Sequence, residues 1–163
     1  MSTTTRPEAT IVADPDTPVV TITREFDAPP ELVYRAHAEP ELLQQWLGPD
    51  RMSTTIDHYD CRRGGSFRYG SVWDDGEAWF YGSFHDVRPG EKIVQTWTWE
   101  GMPDAVSLET VVFEPLEGGR CRLVATAVVD SMEAQAGMMA SGMEVGINEG
   151  YAKLDAMLAR GLD

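Results

Sequence analysis

Basic residues are scarce in this chain. Thirteen Lys and Arg stand against 27 Asp and Glu, a formal net charge of −14. Nucleic acids and anionic lipid surfaces are held by neutralising their phosphates with Lys and Arg, so neither is expected as a partner. Cysteine is nearly absent as well. Cys61 and Cys121 are far apart and form no Cys-x-x-Cys pair, which favours two buried thiols in a reducing compartment over a disulfide. No apolar run approaches the roughly 18 residues that a membrane span requires. The opening residues, Met1 to Pro7, have no hydrophobic signal core, and a cytoplasmic location is the expectation.

Chemical motifs are missing too. His37, His58 and His85 fall on three separate segments with no His-x-x-x-His spacing, so no metal site is predicted. There is no Gly-x-Ser-x-Gly elbow, phosphate-binding glycine loop or dinucleotide fingerprint. No cofactor and no catalytic residue are therefore assigned. Arg68, Tyr81, His85 and Glu109 sit in the middle of strand-like runs, and are the groups that proton chemistry would use if they faced a pocket.

What is present describes one domain. The chain has 163 residues, 42% of them hydrophobic, enough for a single substantial core. Residues 1–17 are rich in Thr, Pro and Asp and are expected to be a flexible tail; the domain proper is 18–163. Alternating β-branched residues predict a first strand from Pro18 to Phe26. Asp27-Ala-Pro-Pro then opens a helix, with Asp27 as its expected cap. Pro40 ends that helix, and a second short one runs from Glu41 to Trp46. From Met52 to Val129 six strand-like runs follow, separated by Gly, Pro and Asp turns at 63–65, 74–76, 88–90, 101–104 and 117–119. Beyond Asp130 the period changes. Ala136, Met139, Met143, Ile147, Tyr151, Leu154 and Leu158 recur at three- and four-residue spacing, which predicts one long amphipathic helix capped by Ser131. At 1.5 Å per residue that helix would be about 40 Å long, enough to cross the domain. The fold expected is α+β: a curved, seven-stranded antiparallel sheet, two short helices after its first strand, and a long C-terminal helix covering its inner face.

Two constellations point to a binding cavity. Nine of the fifteen aromatics lie between Phe67 and Trp99. Phe67, Tyr69 and Trp73 share one parity, as do Trp97 and Trp99, and rigid rings tend to line pockets. On the run 78–88 both faces are apolar, so either face could be inside. The terminal helix carries five methionines, which adapt to varied guests, beside Gly142-x-x-x-Gly146-x-x-x-Gly150. Three glycines in register in a helix need a reason, and either close packing or room for a ligand would supply one. From the sheet the predicted lining is Phe67, Tyr69, Phe84, Trp97, Trp99 and Phe113. Trp46 and Met52 come from the segment between the first two strands, and Met139, Met143 and Ile147 from the helix. The occupant expected is a small hydrophobic molecule, and a homodimer is left open.

The segments Arg24-Glu-Phe-Asp-Ala-Pro-Pro-Glu-Leu-Val-Tyr-Arg-Ala36, Glu39-Pro40 and Gln45-Trp-Leu-Gly-Pro49 also carry a resemblance. So do Arg63-Gly-Gly-Ser-Phe67, Gly82 with Pro89, Glu91-Lys-Ile-Val-Gln-Thr-Trp97, Gly118-Gly119 and Gly142-Met-Glu-x-Gly146. Over nearly all of 18–162 the chain resembles the activator-of-Hsp90-ATPase-homologue branch of the SRPBCC superfamily, related to START and plant Bet v 1-like domains. The resemblance implies a helix-grip fold with a cavity between the sheet and the terminal helix. It also implies a range of functions. Foremost is binding of a lipid-, polyketide- or aromatic-like ligand as carrier or sensor. The alternatives are a polyketide aromatase/cyclase-type enzyme and a co-chaperone-like protein-interaction module.

Overall fold

A computed structural model describes residues 8–163 of the chain. Val and Thr alternate along Val19–Phe26 and form a strand that buries Val20 and Phe26, as the period of two requires. A shorter strand precedes it. Thr10–Ala13 (β1) pairs antiparallel with Val19–Phe26 (β2), bringing Ile11 opposite Ile22. The tail expected over 1–17 is therefore built into the sheet along part of its length; residues 1–7 lie outside the described region. The sheet accordingly has eight strands rather than seven. The brief apolar stretch Ile11-Val12 is what the extra strand uses.

Asp27 does not cap the first helix. Its carboxylate accepts a hydrogen bond from Arg120 Nε at 2.8 Å, and Pro30–Ala38 (α1) begins with proline at its first position and no side-chain cap. Glu39 is extended because Pro40 follows it, and Pro40–Trp46 (α2) starts at once.

The meander that follows comprises Ser53–Tyr59 (β3), Ser66–Trp73 (β4), Gly76–Arg88 (β5), Lys92–Trp99 (β6), Ser107–Leu116 (β7) and Arg120–Val128 (β8). Every predicted turn falls between two of these strands, overlapping them only at Gly76, the first residue of β5, and Arg88, its last. Strand order is β1-β2-β8-β7-β6-β5-β4-β3, antiparallel throughout. Register shifts between Ile56 and His58 and between Phe84 and Asp86 bend the sheet locally.

The terminal helix is broken, which corrects the expectation of one continuous rod. Met132–Ala140 (α3) is capped by Ser131, whose Oγ accepts from Ala134 N at 3.0 Å. Gly142 then takes a left-handed conformation, φ +80°, before Met143–Arg160 (α4). A residue without Cβ adopts that conformation with the least strain. The hydrophobic period passes through the break undisturbed, so periodicity alone could not reveal it. The other two glycines of the stripe serve close packing. A Cβ on Gly150 would stand 3.0 Å from the Trp46 carbonyl oxygen, and one on Gly146 3.4 Å from Pro49. The backbone they admit is the α2–β3 connection rather than the sheet.

One end of the space between sheet and helices is solid. Phe67, Phe84 and Phe113 from the sheet pack there with Val33, Leu154 and Met157 from the helices, all buried. Cys121 is buried and Cys61 half-buried, and both are free thiols. Among the described residues no helix is long and apolar enough to cross a membrane.

Candidate functional site

The other end of that space is hollow. A cavity of about 390 Å³ lies between the inner face of the sheet and the helices, with every element except β1 contributing to its wall. Its floor is aromatic. Phe80 stacks on Trp97 with ring centroids 4.8 Å apart and planes at 19°, and Tyr69 lies 5.5 Å from Phe80. Strand pairing brings these rings together, since Tyr69 is opposite Phe80 across β4 and β5. The parity that the sequence left undecided on β5 is thereby settled: Phe80 and Phe84 face inward, while Tyr81 is 39% exposed. Trp97 Nε1 donates to Tyr69 Oη at 3.0 Å, which satisfies the indole and fixes both rings.

The roof is held as firmly. Trp46 Nε1 donates to the Ala36 carbonyl at 2.9 Å, one of the four carbonyls that the end of α1 leaves without a helical partner. Tyr151 from α4 stands 5.9 Å from Trp46, and Met143 and Ile147 close the side. A second depression of about 340 Å³ shares Ser71, Phe80, Met143 and Gly146 with the first. The α3–α4 break borders it, and Val145, 55% exposed, stands at its rim.

Among the described residues, two ionisable groups besides tyrosines face the cavity, and burial pushes both toward neutrality. Glu109 lies on the inward parity of β7 between Ser107 and Val111. Desolvation raises its carboxyl to about 7, opposed by the polar side chains of Ser107 and Gln95 beside it. The Gln95 contact is long, 3.4 Å. His37 is driven down to about 4 by desolvation, against the opposing pull of its bond to the Val33 carbonyl. That bond is 2.7 Å from Nδ1, so the neutral ring carries its proton on Nδ1 and leaves Nε2 as an acceptor. Tyr59, Tyr69 and Tyr151 are all raised above the ordinary phenol range, chiefly by desolvation, and each also feels the Glu109 charge. No group of three His, Cys, Asp or Glu side chains among the described residues could hold a metal ion.

The residues predicted from sequence divide between these regions. Trp46, Tyr69, Trp97, Met143 and Ile147 line the cavity, and Met52 lines the adjoining depression. Phe67, Phe84 and Phe113 share the inward face but are consumed by the solid core. Trp99, at the last position of β6, is 42% exposed, and Met139 on α3 is 39% exposed; neither is part of the wall. Met138 takes the place expected of Met139, because α3 follows its own axis up to the break. Of the four proton-transfer candidates, Glu109 faces inward. Arg68 lies over the Trp79 ring and pairs with Glu100 at 2.7 Å on the outer surface, and Tyr81 and His85 are exposed. His37, Tyr59, Phe80, Gln95 and Tyr151 were not singled out as lining. Parity with Trp97 would have found Gln95, and pairing opposite Tyr69 would have found Phe80. Nothing local marks His37.

The comparisons decide the lineage. Residues 27–159 match the model of the family described as activator of Hsp90 ATPase homolog 1-like protein. The chain belongs to that family. Its observed architecture is the helix-grip arrangement, with one strand more than expected. No curated protein matches the sequence. Among solved structures, a protein from Rhodobacter sphaeroides is 26% identical with a TM-score of 0.83, covering 93% of this chain and 98% of its own. One from Mycobacterium smegmatis is also 26% identical, with a TM-score of 0.82 over 92% of this chain and 96% of its own. The AHSA1 protein of Silicibacter pomeroyi is 24% identical, with a TM-score of 0.71 over 87% and 98%; at that identity the likeness is one of fold. Folds of this class commonly bind hydrophobic ligands.

Proposed function

We propose that the protein binds a small, largely apolar molecule between its sheet and its terminal helices, as a carrier or sensor. The observation that carries this reading is the cavity itself. At about 390 Å³ it falls within the roughly 300–1,000 Å³ range of small-molecule sites. Its wall is mostly aromatic and aliphatic, with few polar groups to orient a guest. The cyclase-type alternative has less support: three of its four candidates lie outside, and among the described residues Glu109 forms a hydrogen bond with no second ionisable side chain.

The test is native mass spectrometry of the purified protein together with a thermal-shift screen of apolar compounds. Ala125→Phe, which projects a ring into the cavity wall, serves as the blocked control. A ligand present at 100 times its dissociation constant should stabilise the wild type by about 2.7 kcal/mol and the blocked variant not at all. Equal shifts in both proteins would place binding elsewhere. No bound molecule and no shift with any compound would overturn the proposal.

A further inference from the structure

Given the cavity reading above, on which this inference rests, the chemistry of the wall narrows the class of ligand. We infer that the guest carries an organic cation, an amine or quaternary ammonium head, seated between the Glu109 carboxylate and the ring faces around it.

Three observations lead there. The first is charge. Among the described residues Glu109 is the sole acidic one in the cavity wall, and neither Lys nor Arg lines it. The nearby cation Arg24 is held in a two-point pair by Asp155. An ionised carboxylate withdrawn from water is costly unless a positive group joins it, and the wall provides none. A cationic guest does.

The second is vacancy for hydrogen bonds. A carboxylate offers about four acceptor sites. Here the protein supplies the amide of Gln95, its cross-strand neighbour on β6, at the long distance of 3.4 Å, while among the described residues the buried Ser107 hydroxyl makes no hydrogen bond. Acceptor capacity is left facing the cavity.

The third is the rings. Trp46, Tyr59, Tyr69, Phe80, Trp97 and Tyr151 surround the same space. The faces of Trp and Tyr attract cations, most strongly where water is excluded. Phe80 covers one face of Trp97 at 4.8 Å. The overall charge of −14 adds a field that draws cations toward the protein.

The groups facing Glu109 also make the idea testable by pH. His37 on α1 is neutral above about 4. Tyr59 on β3, Tyr69 on β4 and Tyr151 on α4 are raised and stay protonated through neutrality. Gln95 on β6 and Ser107 on β7 do not titrate, and the residues lining from α2, α3, β5 and β8 carry no charge. Between about 5 and 9, Glu109 is the group whose charge changes in the cavity, passing through about 7. A fixed positive charge therefore binds more tightly as pH rises across that value.

The experiment compares two probes of one shape, benzyltrimethylammonium and its uncharged isostere neopentylbenzene, by calorimetry or tryptophan quenching. The cation should bind at least about tenfold more tightly near pH 8, consistent with a cation–π contact plus a desolvated charge pair. That preference should shrink toward pH 5, while the neutral probe's affinity stays level. Glu109→Gln should lose the preference and keep the neutral probe. Equal or tighter binding of neopentylbenzene, a preference independent of pH, or a preference retained in Glu109→Gln would each overturn the cation assignment while the cavity reading stood. Binding of neither probe would overturn the cation assignment, and together with no bound molecule and no shift from any compound in the thermal screen it would overturn the cavity reading as well. The pH series needs only the wild type, so the test survives a variant that fails to fold.

Discussion

Arg24 on β2 and Asp155 on α4 meet in a two-point ion pair, with both N···O distances 2.6 Å. The arginine side chain is 1% exposed and the aspartate 32%. Parallel N–H···O bonds of this geometry are among the stronger polar contacts in proteins. The guanidinium also lies 4.6 Å over the Phe26 ring, so it bridges the sheet to the helix that roofs the cavity. Removing the carboxylate leaves a buried charge, which costs several kcal/mol in a dry site and little at the surface. For this half-screened pair Asp155→Asn should cost about 2 kcal/mol, read as a lower urea midpoint at unchanged slope. A variant as stable as the parent would show that the pair contributes only geometry.

Glu109 and His37 titrate in opposite senses in the same cavity, and the wild type should conceal both. The carboxyl rises from 4.5 to about 7 on folding. Between those values the native state holds the extra proton, so this group's stabilisation is complete below 4.5 and is lost as pH rises through 7. The imidazole falls from 6.5 to about 4. There the unfolded state holds the extra proton, and stability is lost as pH falls from 6.5 toward 4. Each effect is on the order of 3 kcal/mol in full, and they nearly cancel between about 4.5 and 6.5. Relative to wild type across that window, Glu109→Gln should gain stability with rising pH, and His37→Asn should lose it. Parallel curves for all three proteins would mean that neither group is desolvated as described.

Much of the scaffold could be read from the chain. Val20, Ile22 and the turn glycines placed the strands, and Pro40 divided the two short helices. The break at Gly142 could not be read, because Met139, Met143 and Ile147 keep helical spacing straight through it; the left-handed φ is a property of one backbone position. The cavity was half legible. Parity identified the inward face that Phe67, Tyr69 and Trp97 share, but not where along it packing ends and empty space begins. Phe67 and Phe84 lie in the filled part, packed 5.4 Å from each other, while Tyr69 borders the hollow. Depth along a sheet is set by the helices above it, and no strand period records that. His37 reaches the site through the α1–α2 bend, a purely tertiary placement.

Gly142→Ala tests the break. Alanine at φ +80° strains against its own carbonyl and should cost about 1–2 kcal/mol. Gly142→Asn should cost less, because asparagine tolerates the left-handed region. Thermal unfolding of the two variants ranks them. An alanine variant at least as stable as the parent would mean that α3 and α4 can join into one rod, and its hydrogen-exchange pattern across Ser141 would then show new protection.

Gln135 fixes the first part of that broken helix. The two N–H groups of its buried side-chain amide, one of them shared, reach the carbonyls of Asp14, Thr17 and Val19 at 2.9, 3.0 and 2.8 Å. One amide thus gathers the turn between β1 and β2 and anchors α3 to it. A group with N–H donors suits this place, and a carboxylate would face three carbonyl oxygens with nothing to donate. Gln135→Ala should cost about 1–3 kcal/mol through carbonyls left with one partner fewer. Gln135→Glu, closer in shape, should nevertheless cost more at neutral pH and recover as its carboxyl is protonated in acid. Hydrogen exchange should locate the damage in β1 and α3 while β4 to β7 keep their protection. If the glutamate variant proved the milder of the two, filling that space would matter more than donating to it, and the strand built from the chain's early residues would owe its place to packing alone.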